Sequence, residues 1–510
     1  MFIRQKLCRA PLRLFLSRCY GQVLPTERLH PSIRNFALDL SWTQPCFPLS
    51  SKNIRIYSQP QDFSRTLLGM IRRARERIFI SSLYIGSSET QLIDTLGAAL
   101  QSNPSLKLHL HLDYNRSTRP GASSTVRLLL PLLKLYPERV HVNLFKSPKL
   151  KGIMAKLVPR RFDEGWGTWH AKIYGVDDEV IISGANLNES YFTNRQDRYL
   201  HFTSSHLAQY CVAFLRTMES SCFRLGISAN CDDPNPSITW PNSSIHPENM
   251  EQSTGAALRT FQKNQLVESQ ALSDANGHEK PDIWIFPMIQ GGQFGVREEE
   301  RCLAQLFKHL STSNANNGTA TPLMDLTSGY FGLYKRYQEF VRLSRADCRI
   351  LVASPKANGF YGSSGISGRI PEGYTHLEQR FWAGILRSRR AWQTTFSEEG
   401  NEVGHGVQLS EWYRPGWTYH AKGIWLSPHP KDDPVLTLFG SSNLNSRSAH
   451  LDTELGFIMV ASSDGASDGL RKKLGDEVKG LRQHAQEWKG GGRRVRWGTK
   501  ALVGLVGGML

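Results

Sequence analysis

The residues able to do chemistry in this chain occur in two matched sets. From Thr168 the sequence reads T-W-H-A-K, and from Thr418 it reads T-Y-H-A-K. A glycine phrase follows each copy, G-A-N-L-N from Gly184 and G-S-S-N-L-N from Gly440. Eleven places beyond the asparagine of each phrase stands an acid, Asp197 in the first copy and Glu454 in the second. A single His-x-Lys has little weight in a chain with 16 histidines, because accident alone produces about one. Two long matched blocks imply instead a duplicated unit with half a site in each copy. An imidazole can attack phosphorus. An ammonium beside it, with amide and hydroxyl donors from a Gly-Ser-Asn turn, can hold phosphoryl oxygens as their charge grows. The pattern points to phosphate-ester chemistry.

Aliphatic and aromatic residues surround both His-Ala-Lys phrases and lead into both glycine phrases, which predicts strands. Residues two apart on a strand share a face, so His170 lies beside Lys172 and His420 beside Lys422. Upstream, R-I-F-I-S-S from Arg77 reads as a buried strand. The alternating L-K-L-H-L-H-L-D delivers Asp113, with Arg116 and Arg119 just beyond, to a strand end, where α/β sheets place their ligands. An arginine pair there can grip a phosphate. In the second half, C-R-I-L-V-A-S from Cys348 reads as the counterpart of R-I-F-I-S-S. Strands and helices alternate in both halves, which predicts an α/β fold with a mostly central, helix-flanked sheet in each.

At 510 residues the chain exceeds what one compact core organises. Lys and Arg outnumber Asp and Glu by 62 to 45, a formal charge of +17. That excess favours anionic partners: nucleic acid, acidic lipid headgroups or phosphorylated substrates. The eight cysteines are scattered without a C-x-x-C pair, which argues against zinc fingers and a disulfide framework. No window approaches the ~20 apolar residues of a membrane-spanning helix. Arg4, Lys6, Arg9, Arg13 and Arg18, with no acid before Glu27, give residues 1–38 the character of a mitochondrial presequence. The units then run over 50–228 and 281–488. Between them, 229–280 is rich in Asn, Ser, Pro and Glu and reads as a partly disordered connection. Residues 489–510 form a basic and apolar tail. Lysines mixed with aliphatics from Lys146 to Arg161 suit docking on an anionic membrane surface.

His-x-Lys-x4-Asp followed by Gly-Ser/Ala-x-Asn, present twice, resembles the phospholipase D superfamily. The first block fits throughout, with His170, Lys172, Asp177, Gly184 and Asn186. The second carries Ser427 at the Asp position, with an insert that lengthens it by six residues. The phrases L-D-Y-N-R-S-T-R, H-A-K-I-Y-G-V-D and N-E-S-Y-F-T-N-R-Q-D-R-Y look like the mitochondrial phosphatidyltransferases of that superfamily. The resemblance implies two repeats packed about a pseudo-two-fold axis, with His170 and His420 on opposite sides of one phosphorus. It gives His170 the nucleophile's role and His420 the acid's, with Asp177 completing the motif. Lys172, Lys422, Asn186, Asn443 and Ser441 would hold the non-bridging oxygens, and Asp197 and Glu454 would orient the imidazoles. The implied donor is CDP-diacylglycerol and the acceptor glycerol 3-phosphate, with Asp113, Arg116 and Arg119 as substrate contacts. No cofactor, metal or nucleic acid is implied, and the site of action is the mitochondrial inner membrane, bound peripherally. Two alternatives stand beside this expectation. One is another phosphodiester enzyme on the same fold, such as a cardiolipin or phosphatidylserine synthase, a lipid hydrolase or a nuclease. The other is a non-catalytic scaffold for anionic lipid.

Overall fold

The computed structural model describes residues 24–120, 124–159, 162–228, 236–272, 280–313, 321–396 and 402–507. It contains two large mixed sheets, one of nine strands and one of ten. In the first, the neighbours run Phe223–Ile227, Val140–Phe145, Lys107–Asp113, Arg77–Ser81, Ile173–Val176, Glu179–Ser183, Tyr199–Thr203 and Ile54–Tyr57, with Pro236–Thr239 at the outer edge. In the second, they run Ala485–Glu487, Val407–Trp412, Asp347–Ala353, Leu323–Ser328, Lys422–Ser427, Leu436–Gly440, Thr453–Ala461 and Ile283–Gly291. Each sheet has a parallel trio followed by antiparallel strands in the same positions. The duplication legible in the two blocks therefore extends to the whole topology.

The sheet order corrects one strand equivalence. Leu323–Ser328 occupies the place of Arg77–Ser81, and the strand containing Cys348 occupies that of Lys107–Asp113. The sequence L-M-D-L-T-S hides its buried character behind Asp325. That carboxylate is neutralised by a two-pronged contact from Arg349 on the neighbouring strand, at 2.9 and 2.6 Å.

Three apolar clusters hold these layers. Two lie on the outer faces, one in each half. The third is shared, bringing Phe79, Trp169 and Phe202 of the first half together with Trp425, Phe439 and Phe457 of the second. Phe202 and Phe439 stack at 5.7 Å between ring centres. Burial of aromatics is worth about 2–3 kcal/mol per side chain, so this seam fixes the two halves face to face. Arg198 crosses the same seam. Its guanidinium donates to both oxygens of Glu477 at 2.9 Å, to the Leu438 carbonyl at 2.8 Å and to Thr437 at 3.0 Å, and stacks 3.8 Å from the Trp425 ring centre.

Segments outside the two units join the core. The helix Pro31–Ser41, capped by His30, inserts Ile33, Phe36 and Leu40 into the outer cluster of the second half. Phe47–Leu49 then adds a strand beside Ile283–Gly291. The boundary at residue 38 thus runs through a packed helix, while residues 1–23 lie outside the described residues. Within 229–280 the structure places a 22-residue helix, Glu251–Leu272. Leu258 and Phe261 anchor it against Tyr210 and Phe214. So narrow an apolar stripe in a polar stretch resembles a linker in composition. Among the described residues no helix is long and apolar enough to cross a membrane.

Candidate active site

Each His-Ala-Lys phrase enters the site along a backbone ladder to the other half. Trp169 bridges Thr453, and the His170 N–H donates to the Thr453 carbonyl at 2.9 Å. Reciprocally, Thr418–Tyr419 pairs with Arg195–Gln196, and the His420 N–H donates to the Gln196 carbonyl at 2.8 Å. Contacts that repeat with the roles exchanged are the signature of a two-fold interface. They also exchange the acids. His170 Nδ1 meets both oxygens of Glu454 at 2.8 and 2.9 Å, and His420 Nδ1 meets Asp197 at 2.6 Å. The spacing of the acids, legible in each block separately, gave no sign of this crossing.

On His170 the carboxylate at Nδ1 fixes the proton there and leaves Nε2 as the free, basic nitrogen; on His420 both Asp197 and the Lys422 ammonium approach Nδ1, each at 2.6 Å. Lys422 reaches across to Gly184, where an added Cβ would lie 2.5 Å from its ammonium and 2.6 Å from Asp197. Only glycine admits this approach. Lys172 donates to the His170 carbonyl at 2.7 Å. Asn186 and Asn443, one from each half, bury a side-chain oxygen that meets no donor. Orphaned amides at matched positions are costly, and turned over they offer N–H groups to an anion.

All of this is buried, and the titrations follow. Burial draws His420 well below the ordinary imidazole value, and Lys422, Arg195, Lys172 and His170 lower it further. Burial lowers His170 as well, against the opposing pull of Glu454. Burial brings Lys172 down to about 7 and Lys422 to about 8, although Glu454 and Asp197 respectively favour their charged forms. Burial alone would raise Glu454, but His170 and Lys172 hold its carboxyl down at about 2. The profile of kcat/KM against pH is accordingly expected to be bell-shaped. Its acid limb should lie below 6.5, where His170 gains a proton. Its alkaline limb should lie between about 7 and 8, where the lysines of the free enzyme lose theirs. A rate that stays flat to about pH 9 would show that the ammonium charges are not needed.

Several expected residues do other work than the one expected of them. Asp177 lies at the far end of its strand, roughly 20 Å from His170 at strand spacing. It accepts the backbone N–H groups of Arg75, Glu76 and Arg77 at 2.9, 2.8 and 3.0 Å. It is a turn clamp and no part of the reacting group. At the matching place in the second half Ser427 is followed by the longer segment 428–435, which forms its own turn, with the Asp432 N–H on the His429 carbonyl at 3.0 Å. Asp177→Ala is expected to cost about 1–3 kcal/mol of stability while turnover of the folded enzyme stays within about twofold; urea denaturation and kcat measured together check this. Ser441 gives its hydroxyl to Glu454 rather than to the phosphate space, as does Ser448 at 2.7 Å. Asp113 accepts the N–H groups of Arg116 and Trp169 at 2.9 and 3.0 Å, so it fixes the strand entering His170. Burial raises it to about 8. Arg116 and Arg119 both engage Glu164, and Arg116 also lies 4.4 Å from the Tyr84 ring centre.

Other residues at the site are not singled out by spacing, although Tyr191 and Arg195 lie within the phrase N-E-S-Y-F-T-N-R-Q-D-R-Y. Tyr191 and Tyr330 present their rings edge-on to His420, each 5.2 Å between ring centres, and the Tyr191 hydroxyl lies 3.4 Å from Nε2. Arg195 stacks on Tyr191 at 4.6 Å. Asp452 converges with His170 and Glu454 within 4.8 Å. Its oxygens are occupied by Thr168 and Arg447, and those of Glu454 by His170, Ser441 and Ser448. Carboxylates saturated with donors form a clamp for the imidazole rather than a cation cage.

No protein-family model matches the chain. The mitochondrial CDP-diacylglycerol–glycerol-3-phosphate 3-phosphatidyltransferase of Mus musculus is 34% identical over 456 residues, 84% of this chain and 78% of that protein. The CDP-diacylglycerol–glycerol-3-phosphate 3-phosphatidyltransferase of Saccharomyces cerevisiae is 34% identical over 475 residues, 87% and 84% of the two chains. Among solved structures, a phosphatidylserine synthase from Haemophilus influenzae Rd KW20 superposes with a TM-score of 0.64, covering 94% of this chain and 98% of that one. At 19% identity it speaks for the fold alone. With a third of its residues shared over most of both lengths, the chain belongs to the family of CDP-diacylglycerol–glycerol-3-phosphate 3-phosphatidyltransferases.

Proposed function

We propose that the protein transfers the phosphatidyl group of CDP-diacylglycerol to glycerol 3-phosphate, giving phosphatidylglycerophosphate and CMP through a phosphatidyl-histidine intermediate. The observation that carries this reading is the reciprocal pair of imidazole–carboxylate couples, His170–Glu454 and His420–Asp197, each closed across the seam between the halves. Nε2 of His170 attacks the phosphatidyl phosphorus, forming an N–P bond as the P–O bond to CMP breaks. Glu454 balances the positive charge that the imidazole then acquires. Beside the anionic pyrophosphate His420 takes up a proton on Nε2 and gives it to the departing CMP. It next takes the proton from the hydroxyl of glycerol 3-phosphate, whose oxygen attacks phosphorus and releases His170. Lys172, Lys422, Asn186 and Asn443 hold the non-bridging oxygens throughout. The place of action is the mitochondrial inner membrane, approached from its surface, and the reaction opens the route to phosphatidylglycerol and cardiolipin.

The test is donor turnover. Purified protein with CDP-diacylglycerol in detergent should release CMP only when glycerol 3-phosphate is present. Release with water or serine alone, or cleavage of an oligonucleotide instead, would overturn the reading.

A further inference from the structure

Away from the paired histidines, the helices Lys335–Leu343, Ile370–Arg387 and Trp497–Val506 enclose a cavity of about 620 Å³. Its floor is apolar, formed by Leu333, Phe381, Ile385 and Val503. Its walls carry four cations, Lys335, Arg342, Arg380 and Arg387, against a single acid, Glu339. None of the four has a carboxylate partner among the described residues, whereas the adjacent Arg336 is paired with Glu300. Like charges gathered round one groove repel one another, and an anion relieves that repulsion. Leu505 lines the groove, and Leu343 and Leu386 stand next in sequence to its lining residues Arg342 and Arg387; the three are 85%, 71% and 55% exposed. Trp497, at the start of the third helix, is 83% exposed. Single exposed leucines are ordinary, but three on the helices of one basic groove, with a tryptophan at the far end of one of them, make the pattern of a membrane-interface surface. The cavity's size is that of a pocket for a small amphiphile.

We propose that this groove docks an acidic phospholipid of the bilayer, its phosphodiester on the arginine rim and part of a chain against the apolar floor. Ser446, the first residue of the helix after the second glycine phrase, lines the same groove. Lipid seated there holds the second half of the site at the membrane, which rests on the reading that the donor is itself a membrane lipid. A phosphoryl group alone would not use the leucines, and an acidic peptide or a second copy of the chain would leave the groove indifferent to lipid charge.

The experiment is co-sedimentation of the full chain with phosphatidylcholine vesicles, with and without about 30% phosphatidylglycerol, a fraction large enough for a negative surface potential. The wild type should bind the acidic vesicles and not the neutral ones. R342E/R380E/R387E should weaken that binding by about a hundredfold or more. L343S/L386S/L505S, with its charge unchanged, should weaken it by about tenfold. Both variants should keep CMP release from detergent-dispersed donor within about twofold of wild type, which shows that they fold. Vesicle binding by the glutamate variant equal to wild type, equal binding to neutral vesicles, or a change in self-association instead would overturn the proposal. Vesicle binding needs no turnover, so loss of the proposed reaction and loss of this surface are read separately.

Discussion

His170→Ala is expected to lower phosphatidyl transfer by at least about four orders of magnitude, as is His420→Ala, and the double variant should be little worse than either single one. Residues that act as one unit are not additive, and each histidine here is needed for the other's step. The two variants should nevertheless stop at different points. Without His170 no N–P bond forms, so no lipid is covalently attached and no CMP is released. Without His420, CMP can still depart at a reduced rate, because it leaves as a phosphate whose second ionisation lies at roughly 6. The alcohol of glycerol 3-phosphate is a far weaker acid and then has no base. His420→Ala should therefore accumulate lipid-modified enzyme and His170→Ala should not, which mass spectrometry of protein quenched after one turnover reads directly. The opposite outcome would exchange the two roles, and near-normal turnover in either variant would remove that residue from the mechanism.

Arg198→Ala is expected to destabilise the protein by about 3–5 kcal/mol, since it strands a buried carboxylate and leaves two acceptors unpaired. The side chain is 2% exposed and its partner Glu477 8%, so water cannot take the guanidinium's place without opening the seam. Urea denaturation should show a lower midpoint, and the variant's loss of activity should be recovered at low temperature. Arg198→Ala combined with Glu477→Ala should cost less than the sum of the two, because the stranded charge is then gone. A wild-type midpoint in Arg198→Ala would mean that the shared aromatic core alone holds the halves together.

Much of the arrangement was legible in the chain. Duplication was visible because chemistry restricts residue type at fixed spacing, so His170, Lys172 and Asn186 reappear as His420, Lys422 and Asn443. The strands around them were visible because buried strands are apolar. What stayed hidden was of two kinds. Pairings across the seam leave no trace in either block alone, so the crossing of Glu454 to His170 and of Asp197 to His420 needed three dimensions. Motif membership also failed to separate reacting groups from supports. Asp177 and Ser441 look catalytic by position, yet one closes a turn and the other orients a carboxylate. The helix Pro31–Ser41 leaves a faint signal in the sequence because its four buried apolar residues are spread over eleven positions.

The crossing of the acids bears on how such a chain can change over time. A residue whose work is confined to its own copy is free to drift, and the position held by Asp177 in one copy and Ser427 in the other has done so. Asp197 and Glu454 serve the neighbouring copy's imidazole, so a loss on one side is felt at once on the other. Reciprocal service of this kind keeps a fused pair from shedding half its machinery, and it explains why neither copy has become a bare scaffold.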